Sequence, residues 1–216
     1  MVAFTETEEF KKLESEYPLL RRAREHFSGL KNLSCVVVDT ETTGLEPQVS
    51  EIIEIAGLKI IHGQIEEPFN SLIKIDFPLP KEIVQLTGIT DDILKEGEQK
   101  NFVLQRLMDF VKDLPLVAHN VEFDLPFLQH HLGKTLGASL SNQTICTLKL
   151  SRNLLPSLPS HKLAKVAEHF KIPTPLTHRA LGDVEITYQL WLKLAEKLEN
   201  DGIHSLEDLL KSGKLS

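Results

Sequence analysis

Cysteine is scarce in this chain: two among 216 residues, Cys35 and Cys146, each alone in an apolar stretch. Such a pair excludes a disulfide scaffold and a zinc site built on Cys-x-x-Cys, and both read as small core residues. Long hydrophobic runs are missing too. Val36 to Val38 is ended at once by Asp39, far short of the roughly 18 apolar residues that a membrane span needs. The amino terminus, Met-Val-Ala-Phe-Thr-Glu, lacks the basic start and apolar stretch of a secretion signal. The expected compartment is the cytoplasm, without membrane association. Positive charge is in deficit, with 24 basic against 31 acidic residues and a net charge of −7. That balance argues against a protein that grips long duplexes through a basic face. It leaves room for an enzyme that holds a few nucleotides through metal ions, because cations reverse the local charge of acidic ligands.

What is present, 41% hydrophobic and 25% charged residues, suits one globular domain with appendages. Phe10, Leu13, Tyr17, Leu20 and Ala23 recur at helical spacing, interrupted by Pro18, so residues 5–27 read as an amphipathic arm. Residues 34–39 are apolar on both faces, as in a central strand covered on two sides. Strands follow over 50–62 and 69–75, with a turn at Gly63-Gln64. Links this short predict an antiparallel three-strand meander, since parallel pairing needs a long crossover. Helices over 101–113, 120–132 and 161–170 then alternate with strands near 115–118 and 142–146, with a loop at 153–160. A long helix over 179–199 stops at the breakers Asn200-Asp201-Gly202, and a short one over 205–211 closes the chain. The pattern predicts an α/β domain: a mixed sheet of meander plus parallel strands, flanked by helices. Its expected organisation is a helical arm over 1–32, a main domain over 33–200 and a short tail over 201–216.

Acidic residues occupy positions where the pattern demands a core. Asp39 and Glu41 lie two apart at the end of the central strand, so a period of two sends both side chains to one face. Burying two carboxylates together is costly unless a cation sits between them. Taken alone, the pair reads as strand-end and turn chemistry, since Thr42-Thr43-Gly44 follows directly. Asp124 falls one turn into a helix, on the same stripe as Phe127, Leu128 and His131, with Asn120 at the N-cap. Asp183 shares a stripe with Ala180, Thr187, Leu190 and Leu194. For His178, five residues earlier, to meet it, that histidine must sit in the entry loop. Asp124 and Asp183, each taken alone, are equally well explained by capping or a helix first turn. Together, four carboxylates and one histidine converge from three segments. An oxygen-only donor set suits Mg²⁺ or Mn²⁺ rather than zinc.

The segments Asp39-Thr-Glu-Thr-Thr-Gly-Leu45, His119-Asn-Val-Glu-Phe-Asp124 and His178-Arg-Ala-Leu-Gly-Asp183 resemble the three motifs of the DnaQ-like, DEDDh-type 3′–5′ exonuclease family. Gln85-Leu-Thr-Gly-Ile-Thr90 resembles a further family segment, and the likeness runs from about residue 33 to 198. A sister branch places tyrosine four residues before the last aspartate, where Arg179 stands here. The resemblance implies an RNase H-like fold and release of nucleoside monophosphates from a 3′ end. It implies two divalent cations, Mg²⁺ or Mn²⁺, held by Asp39, Glu41, Asp124 and Asp183, with His178 as general base. Ions roughly 4 Å apart stabilise both oxygens of an in-line displacement at phosphorus. The same likeness implies that Thr42, Thr43, Gly44 and Leu45 line the pocket of the terminal nucleotide, with Leu45 and Phe123 packing on bases.

The partner implied is a single-stranded or frayed 3′ end, DNA ahead of RNA, in proofreading or repair, with a DNA polymerase subunit as a possible companion. An RNA-directed exonuclease is the nearest competitor, differing in how the site treats the 2′-hydroxyl. An exonuclease-like docking module without activity is a third reading, disfavoured by the complete set of metal and base positions. His119 and Asn120 are expected to be structural or to support the ligands from behind; His130, His131 and His161 to be surface or helix residues; and Glu51 and Glu54 to be ordinary strand carboxylates.

Overall fold

The computed structural model describes residues 29–174 and 179–215. The arm expected over 5–27 lies outside the described residues. Strand β1 (Cys35–Thr42) runs through the middle of a five-stranded sheet. Antiparallel to it is β2 (Ile52–Ile61), which pairs in turn with β3 (Gln64–Leu72). The turn between them puts His62 at φ 49° and Gly63 at φ 75°, the two positive φ values of a two-residue hairpin. β3 begins five residues before the expected start at 69. Its first half is polar and carries Pro68, and an edge strand tolerates both because one side of its ladder is open.

Three short helices follow: α1 (Lys81–Thr87), α2 (Asp91–Lys95) and the longer α3 (Lys100–Val111). Then come β4 (Leu116–Ala118), α4 (Val121–Leu136) and β5 (Thr144–Cys146). Both strands are parallel to β1, so the order β3-β2-β1-β4-β5 joins the expected meander to a parallel half. The chain ends with α5 (Thr147–Leu154), α6 (Leu163–His169), α7 (Ala180–Asn200) and α8 (Leu206–Lys211). No described helix is long and apolar enough to cross a membrane.

The alternation of β1 divides the core. Cys35 and Val37 pack with Trp191, Leu190 and Leu194 of α7. Val36 and Val38 pack with Leu104 and Leu107 of α3 and Phe127 and Leu128 of α4 on the other face. Continued past Val38, this parity turns Asp39 and Glu41 toward α7 and Thr40 toward α4. Gly57 of β2 lets α3 close on the sheet, because a Cβ there would meet the Phe110 ring at 2.9 Å. Cys35 and Cys146 are both buried, as expected.

Candidate metal centre

The acidic site forms where β1 runs out of apolar residues between two helices. Asp39 and Glu41 arrive on the α7 side of the sheet, and Asp183 reaches them from the first turn of α7. One carboxylate oxygen from each lies within 4.8 Å of the others. Asp124, in the first turn of α4, comes from the opposite face and stands outside that trio. It is 3% exposed, and its Oδ1 accepts hydrogen bonds from the Thr40 amide at 3.0 Å and the Thr40 hydroxyl at 2.7 Å. The side chain that alternates with the two β1 carboxylates therefore anchors the fourth.

The carboxylates repel one another in poor solvent contact. Burial, then the charges of Asp124 and Asp183, drive the Asp39 pKa well above its ordinary value. Burial and Asp183 push Glu41 up to about 8. Burial raises Asp124 to about 7 against the opposing hydrogen bonds from Thr40. Such a cluster binds protons more tightly than free carboxylates do, and a cation competes for the same oxygens. Carboxylate oxygens alone are the donor set of hard divalent ions, so these residues fit such an ion. His178 lies outside the described residues.

Glu54 is not the ordinary strand carboxylate that its sequence context implied. It faces Glu41 across the β1–β2 ladder and is fully buried. Arg179 grips it with two hydrogen bonds, from Nε at 3.0 Å and Nη2 at 2.7 Å. The Ala180 amide, at the start of α7, donates to the same carboxylate at 3.2 Å. This clamp fixes the helix end from which Asp183 projects. A signal existed in the sequence: a lone glutamate inside Ile52-Ile-Glu-Ile55, a run otherwise fit only for a core.

His131 is a residue of α4, on the same buried stripe as Phe127 and Leu128, and is 1% exposed. Its Nε2 lies 3.1 Å from the Ser50 carbonyl oxygen, while its Nδ1 is buried with no hydrogen-bond partner. Burial lowers its pKa, so it holds the loop before β2 as a neutral ring. Glu51 in that loop pairs with Lys100. The loop in turn braces the turn after β1. The Thr43 amide donates to the Glu51 carbonyl at 2.8 Å and the Thr43 hydroxyl accepts from the Glu51 amide at 2.9 Å. The Thr42 hydroxyl donates to the Gly44 carbonyl at 2.6 Å. A Cβ on Gly44 would meet the Ser50 hydroxyl at 2.7 Å, so any larger residue there must displace that side chain. Leu45, in the turn that follows β1, is 79% exposed. Phe123 is half-buried, its ring 5.0 Å from that of Phe127.

Asn120 occupies the N-cap of α4 at φ 78°, but its side chain makes no capping hydrogen bond. The preceding His119 is structural, as expected: its Nδ1 lies 2.9 Å from the Thr147 hydroxyl and its Nε2 2.9 Å from the His161 carbonyl. Burial depresses its pKa to about 4.

Residues 36–191 match the RNase_T family model, described as exonuclease. Among individual proteins, the DNA polymerase III subunit epsilon of Aquifex aeolicus is 36% identical over 163 residues, spanning 76% of this chain and 81% of that protein. The PolC-type DNA polymerase III of Thermotoga maritima is 38% identical over 176 residues, 82% of this chain but 13% of that protein. The match to the corresponding Caldanaerobacter subterraneus polymerase spans 12% of its length. Exonuclease X, solved in complex with 5′ overhanging duplex DNA, superposes with a TM-score of 0.58 at 26% identity, covering 78% of this chain and 93% of that one. Escherichia coli Exonuclease I shares the fold, with a TM-score of 0.67 at 20% identity over 79% of this chain and 43% of that one.

Proposed function

Since this chain belongs to the exonuclease family whose model spans most of its length, we propose that it removes nucleoside monophosphates from the 3′ end of DNA, in proofreading or repair. The observation that carries this reading is the convergence of Asp39, Glu41 and Asp183 within 4.8 Å. In this reading those three and Asp124 hold two divalent cations, Mg²⁺ or Mn²⁺. Bound there, the cations supply charge neutralisation at phosphorus and activation of the attacking water. The chain's own groups do the rest. His178 takes the proton of that water, a task its ordinary pKa near 6.5 suits at neutral pH. The turn Thr42-Thr43-Gly44, braced by Glu51, cradles the terminal nucleotide, and the exposed Leu45 and the Phe123 ring pack against bases. The DNA preference follows the polymerase relatives and Exonuclease X, and the same relatives support a polymerase as companion and the cytoplasm as compartment.

The test is incubation with matched 5′-labelled single-stranded DNA and RNA oligomers in Mg²⁺, in Mn²⁺ and in chelator. Asp183→Ala serves as the control for contaminating nucleases. A metal-dependent ladder shortening from the 3′ end, faster on DNA and absent in the variant, is the expected result. Faster cleavage of RNA overturns the substrate assignment, and no cleavage with any metal overturns the activity.

A further inference from the structure

Beside the carboxylate cluster, at the carboxyl ends of β4 and β5, lies a groove of about 520 Å³. We propose that Arg152 and Lys162 in this groove bind backbone phosphates of the strand that trails behind the terminal nucleotide. The proposal rests on the exonuclease reading and extends it to where the substrate strand runs.

Three observations converge on it. The first is charge. Arg152, Lys162 and His161 line the groove, and no acidic residue does, in a chain with 31 of them. The grooves elsewhere differ: one beside β3 and α3 includes Glu66 and Asp109, one beside α4 Glu122, and one beside α2 Asp76 and Asp91. Arg152 and Lys162 are both exposed, and neither forms an ion pair with another described residue, whereas the neighbouring Lys149 and Lys165 are held by Glu122 and Glu168. These two cations are therefore available to an anion.

The second is construction. The groove floor is a hydrogen-bonded unit rather than a chance depression. His119 spans from Thr147 to the His161 backbone, and the His161 ring Nδ1 lies 3.0 Å from the Ser151 hydroxyl. These contacts tie the loop bearing Lys162 to the helix bearing Arg152. His119 is half-buried, and desolvation holds its pKa near 4, so it serves as a neutral strut and adds no charge.

The third is placement. β4 pairs parallel with β1 and β5 parallel with β4, with Val37 opposite Val117 and Val117 opposite Ile145. All three strands therefore end on the same side, where a sheet of this type binds its ligands. β5 lies two strand spacings, roughly 10 Å, from β1. At about 3.4 Å per stacked nucleotide, the groove is about three nucleotides from the carboxylates. Asn120 lines the groove and begins the helix that carries Asp124, so the two sites share one element.

Fluorescence anisotropy of labelled oligothymidylates, with Ca²⁺ in place of Mg²⁺ to slow turnover, tests this. For the double variant Arg152→Ala/Lys162→Ala, affinity for an octamer is expected to fall about tenfold, and affinity for a dinucleotide by much less. The slope of log K against log salt is expected to become shallower by about 1.4, the value for two lost contacts to a single strand. Lys81→Ala/Lys134→Ala removes the same charge elsewhere on the surface and is expected to leave the octamer affinity and slope as in the parent. Equal losses for both pairs, or an octamer affinity and slope unaltered by Arg152→Ala/Lys162→Ala, overturn the proposal. Binding is read without hydrolysis, so a parent protein that binds in this way but cleaves neither DNA nor RNA refutes the exonuclease reading and not the groove.

Discussion

Arg179 occupies the position at which a related branch of exonucleases carries tyrosine, and its side chain turns away from catalysis to neutralise Glu54. A fully buried carboxylate left without its partner costs far more than the pair contributes. Arg179→Ala is therefore expected to destabilise the protein by about 3 kcal/mol, measured by urea unfolding in chelator. Adding Glu54→Leu to that variant is expected to recover most of the loss, since the orphaned charge is then gone. No recovery would mean that Arg179 stabilises through contacts other than Glu54. His178 sets a contrasting case. If it is the general base, His178→Ala lowers kcat by about 10²- to 10⁴-fold. Mn²⁺ affinity, followed by titration calorimetry, is expected to stay within about twofold because no ligand is lost. Full turnover in that variant, or loss of metal binding, removes the histidine from its assigned role.

At the scale of elements, α7 serves the core and the site with different turns of the same helix. Asp183 projects from its first turn, whereas Leu194 is fully buried further along against the sheet. Eleven residues of helix separate them by about 16 Å. Leu194→Ala is expected to cost about 3 kcal/mol of stability through the cavity it leaves. Metal affinity, measured well below the melting temperature, is expected to remain that of the parent. A parallel loss of metal binding would show that core packing along α7 sets the position of Asp183.

The long elements such as α7 were legible because their apolar stripes are long. The central strand was legible because it is apolar on both faces. α5 was not. Thr147-Leu-Lys-Leu-Ser151 alternates like a strand, and Pro156 and Pro159 just beyond suggest a loop. α1 and α2, at seven and five residues, are too short to show a helical period. At the site, Asp39, Glu41 and Asp183 were legible as charges on apolar stripes, and the structure brings them together. The pairing of Glu54 with Arg179 and the contact of His131 with the Ser50 carbonyl escaped because the partners are 125 and 81 residues apart. Only folding brings those pairs within reach.

The whole molecule carries a stability cost that changes with pH. Asp39, Glu41 and Asp124 all have pKa values raised in the folded state, Glu41 to about 8 and Asp124 to about 7. A carboxylate of this kind binds its proton more tightly folded than unfolded. The stability it confers is complete below its unfolded pKa of about 4 and is lost as pH climbs to the folded value. Two partly or fully desolvated histidines act in the opposite sense. His119, depressed to about 4, and His131, also depressed, favour the folded state increasingly until the unfolded histidine pKa near 6.5 is passed. Three groups against two leave a net fall below 6.5, and above it the carboxylates act alone. The metal-free protein is therefore expected to lose melting temperature most steeply between about pH 6.5 and about pH 8. A divalent cation competes with those protons and binds the folded state, so the rise in melting temperature on adding Mg²⁺ or Mn²⁺ is expected to grow over the same interval. Thermal melts in chelator and in metal across this range measure both quantities. Asp39→Asn removes one of the repelling charges. It is expected to melt higher than the parent in chelator at the upper end of the range and to gain little from metal. A variant that melts lower in chelator, or a metal increment independent of pH, would show that the carboxylates are not stored against one another as the structure holds them.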